Sequence, residues 1–404
     1  MPNRQPEVLS PNSKNTDWLS ADELRTLTPE KIVARVAALS ELIAANASEA
    51  ERIGRPVDQV WSELRRAGIG YLYVPKKFGC QRLEPIVDIL LPIAEGCAST
   101  AWCAMFTVEH QWLLAQFSEQ LQNEVWNTLP YVTSAGSGFP LGKATRVEGG
   151  FRLSGQWKWA SGIMHSEWAH VVGLVDEDGK KEPYFLWVPN DEVTILKTWH
   201  VDGMCGTGSN DIAIDDKFVP AHRATKFSGL VQGNAEHEEP IYRIPFGPFF
   251  ALIIAVPVLG TARAALKHLR KKLATSGAGG KPSESQIAQA AIAKAGLDIE
   301  AAEMMIRSGA RELQELAARD EIVSVEDRIR LPAKFAYGAN VCRDATRAIG
   351  DLSGTSAHYL DNSMQRYVRD MNMMTSRALC EMNSSMELHG RIVIGLPSNN
   401  DWFK

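Results

Sequence analysis

The spacing of apolar and polar positions changes character twice along the chain. Between residues 17 and 125 apolar residues recur at helical intervals. Ile32, Val33, Val36, Leu39, Leu42 and Ile43 form one stripe, and Val60, Leu64 and residues 86–93 continue the pattern. Ser20 and Glu23 have capping-box spacing, in which each side chain satisfies the other's backbone N–H at a helix start. Residues 71–75 (YLYVP) read as a short extended piece. From about Tyr131 to Pro220, β-branched and aromatic residues alternate with turn signals. EGG (148–150) separates TRV from FRLSGQWKWAS, and DEDGKK (176–181) separates HVVGLV from PYFLWVP. From about Ile244 the helical period returns over 286–316, 325–349 and 364–389, with loop-like breaks at GAGGKPS (277–283) and DLSGTS (351–356). Long helices with short connections predict a four-helix bundle. The pattern therefore divides the chain into a flexible tail (1–16), a helical domain (17–127), an antiparallel β domain (128–235) and a helical bundle (236–404).

Composition narrows the function classes. Hydrophobic residues make up 45% and charged residues 23%, which excludes bulk disorder and collagen-like repeats. The net charge is −5 and there is no basic stripe, which argues against a nucleic-acid partner. The cysteines at 80, 97, 103, 205, 342 and 380 lack CxxC spacing, which speaks against a disulfide framework or a cysteine zinc site and fits a cytoplasmic location. The N-terminal MPNRQPEVLSPNSKN has no apolar core of a signal peptide. Between Arg243 and Arg263 there is no charge, but Pro245, Pro248, Pro257, Gly247 and Gly260 interrupt the run. It reads as a helix buried in a core, not a membrane span.

HExxH, GxSxG, P-loop and GxGxxG patterns are all missing, and the nine histidines show no metal-ligand spacing. An enzyme of this size without metal or evident nucleophile calls for an organic cofactor.

Several segments, taken in order, resemble the acyl-CoA dehydrogenase superfamily: GMCGTGSNDIAIDDKFVP (203–220), GKPSESQIAQAAIAKAGLDIEAA (280–302) and DLSGTSAHYLDNSMQRYVRD (351–370). Within it, ASTAWCAMFTVEHQWLLAQF (98–117), FRLSGQWKWASGIMHSEWA (151–169) and IYRIPFGPFF (241–250) are similar to the monooxygenases that use flavin reduced by a separate enzyme. The resemblance covers almost the whole chain. It implies an α+β, mostly α fold: an N-terminal helical domain, a middle antiparallel β-barrel or sandwich and a C-terminal four-helix bundle, usually as a homotetramer. It implies reduced FAD or FMN, with FAD ahead, O2 as co-substrate, and a separate NAD(P)H-flavin reductase. A flavin 4a-hydroperoxide would oxygenate a small aromatic substrate.

The resemblance also assigns residues. Ser161 takes the position whose hydroxyl bonds near flavin N5, and Trp159 offers a flat surface beside the ring system. His110 matches an active-site histidine of the N-terminal domain, and His165 a second family histidine. Thr207 and Ser209 would bond the flavin or its phosphate. Arg243 and Phe246 belong to the IYRIPF motif, where an arginine can compensate anionic flavin. Lys281 would meet phosphate, and Gly354 and Gln365 lie in a flavin-contacting loop, often from a neighbouring subunit.

One departure matters. Phenol hydroxylases of this family carry a histidine base shortly after the closing Arg-Asp pair. Here the stretch is RDMNMMTSRALCE (369–381), with Arg377 at that position and Asn372 where some members have a second histidine. Arginine stays protonated and cannot act as a general base, though it can bind an anion. The dehydrogenases' glutamate position is Ala378, with Glu381 almost a helical turn away. The expectation is oxygenation of an electron-rich ring that needs no deprotonation, indole-like first and phenol second. Nitrogen or sulfur oxygenation and acyl thioester dehydrogenation are the alternatives.

Overall fold

The computed structural model describes residues 6–10, 18–78, 86–233, 238–275, 285–319 and 321–400. The capping box forms as the spacing requires: Ser20 Oγ accepts from Glu23 N, and the Glu23 carboxylate accepts from Ser20 N at 3.0 Å. Short helices then lead to Asp58–Ala67, Ile86–Gly96 and Ala98–Leu114. The last of these is buried on nearly every side, because the first helices, the sheet and the bundle all pack on it.

The middle of the chain forms one eight-stranded sheet. Its strands are β1 (Val8–Leu9), β2 (Ser134–Val147), β3 (Gly150–Ala160), β4 (Trp168–Glu177), β5 (Lys180–Pro189), β6 (Thr194–Leu196), β7 (Asn210–Pro220) and β8 (Ala224–Lys226), in the order β1-β6-β7-β3-β2-β4-β5-β8. Two differences from the sequence expectation stand out. The sheet is not purely antiparallel, since β2 and β4 pair in parallel. The expected flexible tail supplies β1, whose Val8 and Leu9 pair with Leu196 and Ile195. Side chains alternate between faces along a strand. Val171, Tyr184 and Leu186 point into the sheet's own core, while Val172, Phe185 and Trp187 point toward the helices. His170 shares the parity of Val172 and so faces the helices as well.

The C-terminal part packs Phe246–Thr275, Gln286–Ala317 and Val325–Leu352 against one another. The apolar run expected to be core is so: 83% of its most apolar window is buried inside the protein. The single helix expected over 364–389 is instead Ser363–Thr375 and Met382–Val393, separated by a 3-10 turn at Ala378–Cys380. The break places Arg377 at a helix junction.

Candidate active site

His110 lies where the three parts meet. Its Nδ1 is 2.8 Å from the Ser134 carbonyl oxygen and 2.9 Å from Ser134 Oγ at the start of β2. A carbonyl can only accept, so Nδ1 carries a proton. Nε2 lies 3.0 Å from Glu109 Oε2, and both side chains are buried.

His170 meets His110 edge to face, with ring centroids 4.2 Å apart, and stacks on Trp187 at 5.1 Å. Its Nδ1 is buried without a hydrogen-bond partner. Burial first, and the His110 charge second, hold its pKa well below the ordinary histidine range, so the ring is neutral.

An aromatic wall runs from His110 to Arg377. Phe106 stacks on His110 at 5.3 Å and meets Phe250 at 6.1 Å, and Phe250 stacks on Phe246 at 5.1 Å. Trp102, Phe106 and His110 are spaced i, i+4, i+8, which puts them on one helix face. The Arg377 guanidinium sits 5.3 Å above Trp102 and 5.9 Å from Phe250. It is half-buried, and among the described residues no carboxylate reaches it. Burial pushes its pKa below the usual arginine range, a range high enough that the charge persists. Cation–π contact contributes about 0.5–2 kcal/mol. That is less than the several kcal/mol of removing an ion from water.

A second cluster gathers three residues singled out in the sequence. Ser161 Oγ is 2.7 Å from Ser209 Oγ, which is 2.7 Å from Thr207 Oγ1, which donates to Met204 O at 2.9 Å. The Thr207 proton is committed to a carbonyl, so Ser209 donates to Thr207 and Ser161 to Ser209. Ser161 Oγ is thereby left as an acceptor. Gly162 (φ +76°) makes the turn after Ser161, a conformation that glycine adopts without strain. The Gly162 N–H donates to Thr207 O at 2.9 Å. Cys103 Sγ contacts the same carbonyl at 3.5 Å, tying the cluster to the His110 helix.

Trp159, next to the end of β3, has φ +70° and an indole that is 56% exposed. A non-glycine residue in that region is strained by about 1 kcal/mol or more. His165 Nε2 lies 2.9 Å from Asp58 Oδ1, against Trp61. The His165 partner most of all holds the Asp58 carboxyl below its usual range, while burial depresses the His165 imidazole.

The remaining positions fall into separate places. Phe246 belongs to the aromatic wall, and Arg243 is half-buried in the 3-10 turn before it. Gln365 Oε1 accepts from Arg369 Nε at 2.7 Å, and Arg369 in turn donates to Asp202 O beside the Met204 turn. Gly354 (φ +64°) is exposed at the bundle end, where Lys272 Nζ donates to Ser353 O at 2.7 Å. The fold of one chain does not bring it onto Ser161 or His110. Asn372 is exposed, and its Oδ1 accepts from Arg347 Nη2 at 2.7 Å; it does not touch Arg377. Lys281 lies outside the described residues. Glu381 is exposed and caps the next helix, accepting from Asn383 N at 3.0 Å, so it does not stand in for a thioester base. Glu109, His170 and Asp58 went unnoticed in the sequence. The parity of HVVGLV in β4 carried the one available signal, which needs the sheet's packing to interpret.

The order of elements, helices, then a sheet, then a helical bundle, is that of the acyl-CoA dehydrogenase fold. Residues 252–381 match the family "Acyl-CoA dehydrogenase, C-terminal domain". The chain is 33% identical over 382 residues to a pigment production hydroxylase of Rhodococcus sp. (strain ATCC 21145), covering 92% of this chain and 98% of that protein. It is 30% identical over 388 residues to the oxygenase component of an FADH2-dependent resorcinol hydroxylase of Rhizobium sp. (strain MTP-10005), at 91% and 94% coverage. It is 29% identical over 321 residues to an indole-3-acetate monooxygenase of Pseudomonas putida, at 77% and 80% coverage. The structure of XiaF from Streptomyces sp. in complex with FADH2 and glycerol superimposes with a TM-score of 0.87 at 25% identity, covering 94% of this chain and 98% of that one. The chain belongs to the flavin-dependent monooxygenase oxygenase components of the acyl-CoA dehydrogenase superfamily.

The residues fit a flavin. A buried hydroxyl chain that ends in an acceptor at Ser161 complements an N–H donor such as N5 of the reduced ring. The exposed Trp159 indole supplies an aromatic face.

Proposed function

We propose that this protein oxygenates a small aromatic or heteroaromatic ring that is electron-rich as bound, indole-like first and phenol second, with reduced flavin from a separate NAD(P)H reductase. A nitrogen or sulfur lone pair would meet the same requirement. One observation carries the reading: the position of the family's base holds Arg377, which cannot take a proton, at the end of an aromatic wall. A ring that reacts there must be nucleophilic without losing a proton at that end. The second reading, phenols, draws on Glu109 and His110, whose side chains lie 3.0 Å apart and give the opposite end a carboxylate–histidine pair.

Bound flavin supplies the activated oxygen. The protein's share is positional. Ser161 Oγ accepts a hydrogen bond at the cofactor's N–H, and the hydroxyls behind it fix that orientation. Phe106, Phe246 and Phe250 hold the guest and exclude water, which favours oxygen transfer over loss of peroxide. The buried His110 closes the inner end of the wall, held by Nδ1 to Ser134, and neutral His170 braces it. We favour FAD, as in the named FADH2-dependent relative, and a cytoplasmic homotetramer. Exposed Leu297 and Met304, two turns apart on one helix, offer an apolar face for a second copy.

The test is anaerobic loading with reduced flavin followed by rapid mixing with oxygenated buffer. A transient near-ultraviolet absorbance before the oxidised-flavin spectrum, lost faster with indole and yielding a product labelled from 18O2, is the expected result. Immediate oxidised flavin with all oxygen recovered as hydrogen peroxide would overturn the reading.

A further inference from the structure

We infer that Arg377 seats an anionic oxygen of the aromatic substrate, a carboxylate or a phenolate, while the ring lies along Phe106 and Phe250 toward His110. This rests on the oxygenase reading above for the identity of the site, but not for its evidence.

Arg377 differs from the arginines just before it. Arg366 donates to Ser48 Oγ at 2.9 Å, and Arg369 Nη2 pairs with Glu51 Oε1 at 2.5 Å. Arg377 contacts only the faces of Trp102 and Phe250, at 5.3 and 5.9 Å, and among the described residues it makes no hydrogen bond or ion pair. All five guanidinium donors are therefore unspent. A half-buried cation in an aromatic setting lacks its counter-ion until one enters with a ligand. The flat guanidinium, held by aromatic faces, matches two carboxylate oxygens side by side.

The length of the wall agrees. Trp102, beneath Arg377, and His110 are eight residues apart on one helix, about 12 Å along its axis. An aromatic ring with a short acidic side chain fits along that length, its anion on Arg377 and its ring on Phe106 and Phe250. The anion then fixes the ring's direction, so one edge of the ring is presented for oxygenation. Arg377 is thus a specificity-determining residue, and the anion is the substrate's own.

Equilibrium binding to the full-length protein, by titration calorimetry, tests this without turnover. The probes are indole-3-acetate, its neutral amide indole-3-acetamide, and 4-nitrophenol, whose visible spectrum reports its ionisation. In the wild type the acetate is expected to bind at least ~10-fold tighter than the amide, the ratio that one charge-assisted hydrogen bond supplies. In Arg377→Gln the ratio should fall to near one, with Arg377→Lys between. A carboxylate preference identifies the first source. A phenolate spectrum of bound 4-nitrophenol below its own pKa, lost in Arg377→Gln, identifies the second. A ratio near one with only protonated nitrophenol bound overturns the inference, as does failure of all three probes to bind. If Arg377→Gln does not fold, the wild-type ratio and Arg377→Lys decide. A strong ratio without oxygenation would sink the functional reading alone; oxygenation with a ratio near one and only protonated nitrophenol bound would sink this inference alone.

Discussion

His110 and His170 meet edge to face, 4.2 Å between ring centroids, and only a glycine at 136 leaves room for them. A Cβ at Gly136 would lie 1.9 Å from His170 Nε2, whereas one at Gly138 would lie 3.7 Å from the nearest atom, in Val172. Gly136→Ala must therefore push His170 off Trp187 and against His110. We expect a kcat loss of about tenfold or more and a stability loss of roughly 1–3 kcal/mol. Gly138→Ala should change neither much. Steady-state kinetics and thermal melts of the pair check this; equal effects at both sites would mean that His170's position is immaterial.

The direction of the hydroxyl chain gives a second prediction. Ser161 donates inward because Thr207 Oγ1 is committed to Met204 O at 2.9 Å. Ser161→Ala removes the acceptor that would face the cofactor's N–H, while the fold loses one hydrogen bond worth about 1 kcal/mol. The expected outcome is a severalfold rise in the fraction of consumed oxygen released as hydrogen peroxide, with a melting temperature changed by only a few degrees. Peroxide yield per oxygen consumed is the measurement. An unchanged yield would remove Ser161 from oxygen chemistry.

Much of the architecture was legible because it rests on local periodicity. The Ser20 capping box and the Asp178-Gly179 turn between β4 and β5, with φ of +54° and +87°, follow from residue choice alone. The parallel β2–β4 pair was hidden, since pairing direction depends on where strands meet and not on their pattern. The helix break at 376–381 was equally opaque: its apolar spacing continues across the gap, and the cap by Glu381 overrides it. At the site, motif resemblance led to Ser161, Thr207 and Ser209, which the fold does gather. Asn372 and Gly354 lie apart from them in this chain. Glu109 and His170 are buried polar groups defined by packing, which no local pattern encodes.

Restoring a base at position 377 supplies a third prediction. A histidine on the same backbone would face Trp102 and Phe250, at the substrate's end of the wall. General-base catalysis typically contributes about 10²–10⁴-fold. Arg377→His should gain phenol turnover of at least tenfold in kcat/KM while losing affinity for carboxylate-bearing aromatics. Comparing a phenol with an indole in both proteins checks it. Fast phenol hydroxylation by the wild type would show that Glu109 and His110 already serve, and the argument from Arg377 would fail.

The Arg369–Asp370 pair in the middle of Ser363–Thr375 makes stability depend on pH. Asp370 is buried, accepts from Met204 N at 2.6 Å, and has its pKa raised from 3.8 to about 6, chiefly by burial. A carboxyl with a raised folded pKa favours the fold when protonated. Its stabilising contribution is complete below about pH 4 and is lost as pH rises through about 6, a change of roughly 2–3 kcal/mol. Asp370→Asn keeps an acceptor for Met204 N and cannot ionise. Its melting temperature relative to wild type should therefore be higher at pH 8 than at pH 4 by roughly 2–5 °C. Paired thermal melts across that window decide it. A difference that does not move with pH would show that Arg366 and Arg369 already neutralise the buried carboxylate, and that the clamp between bundle and sheet is indifferent to protonation.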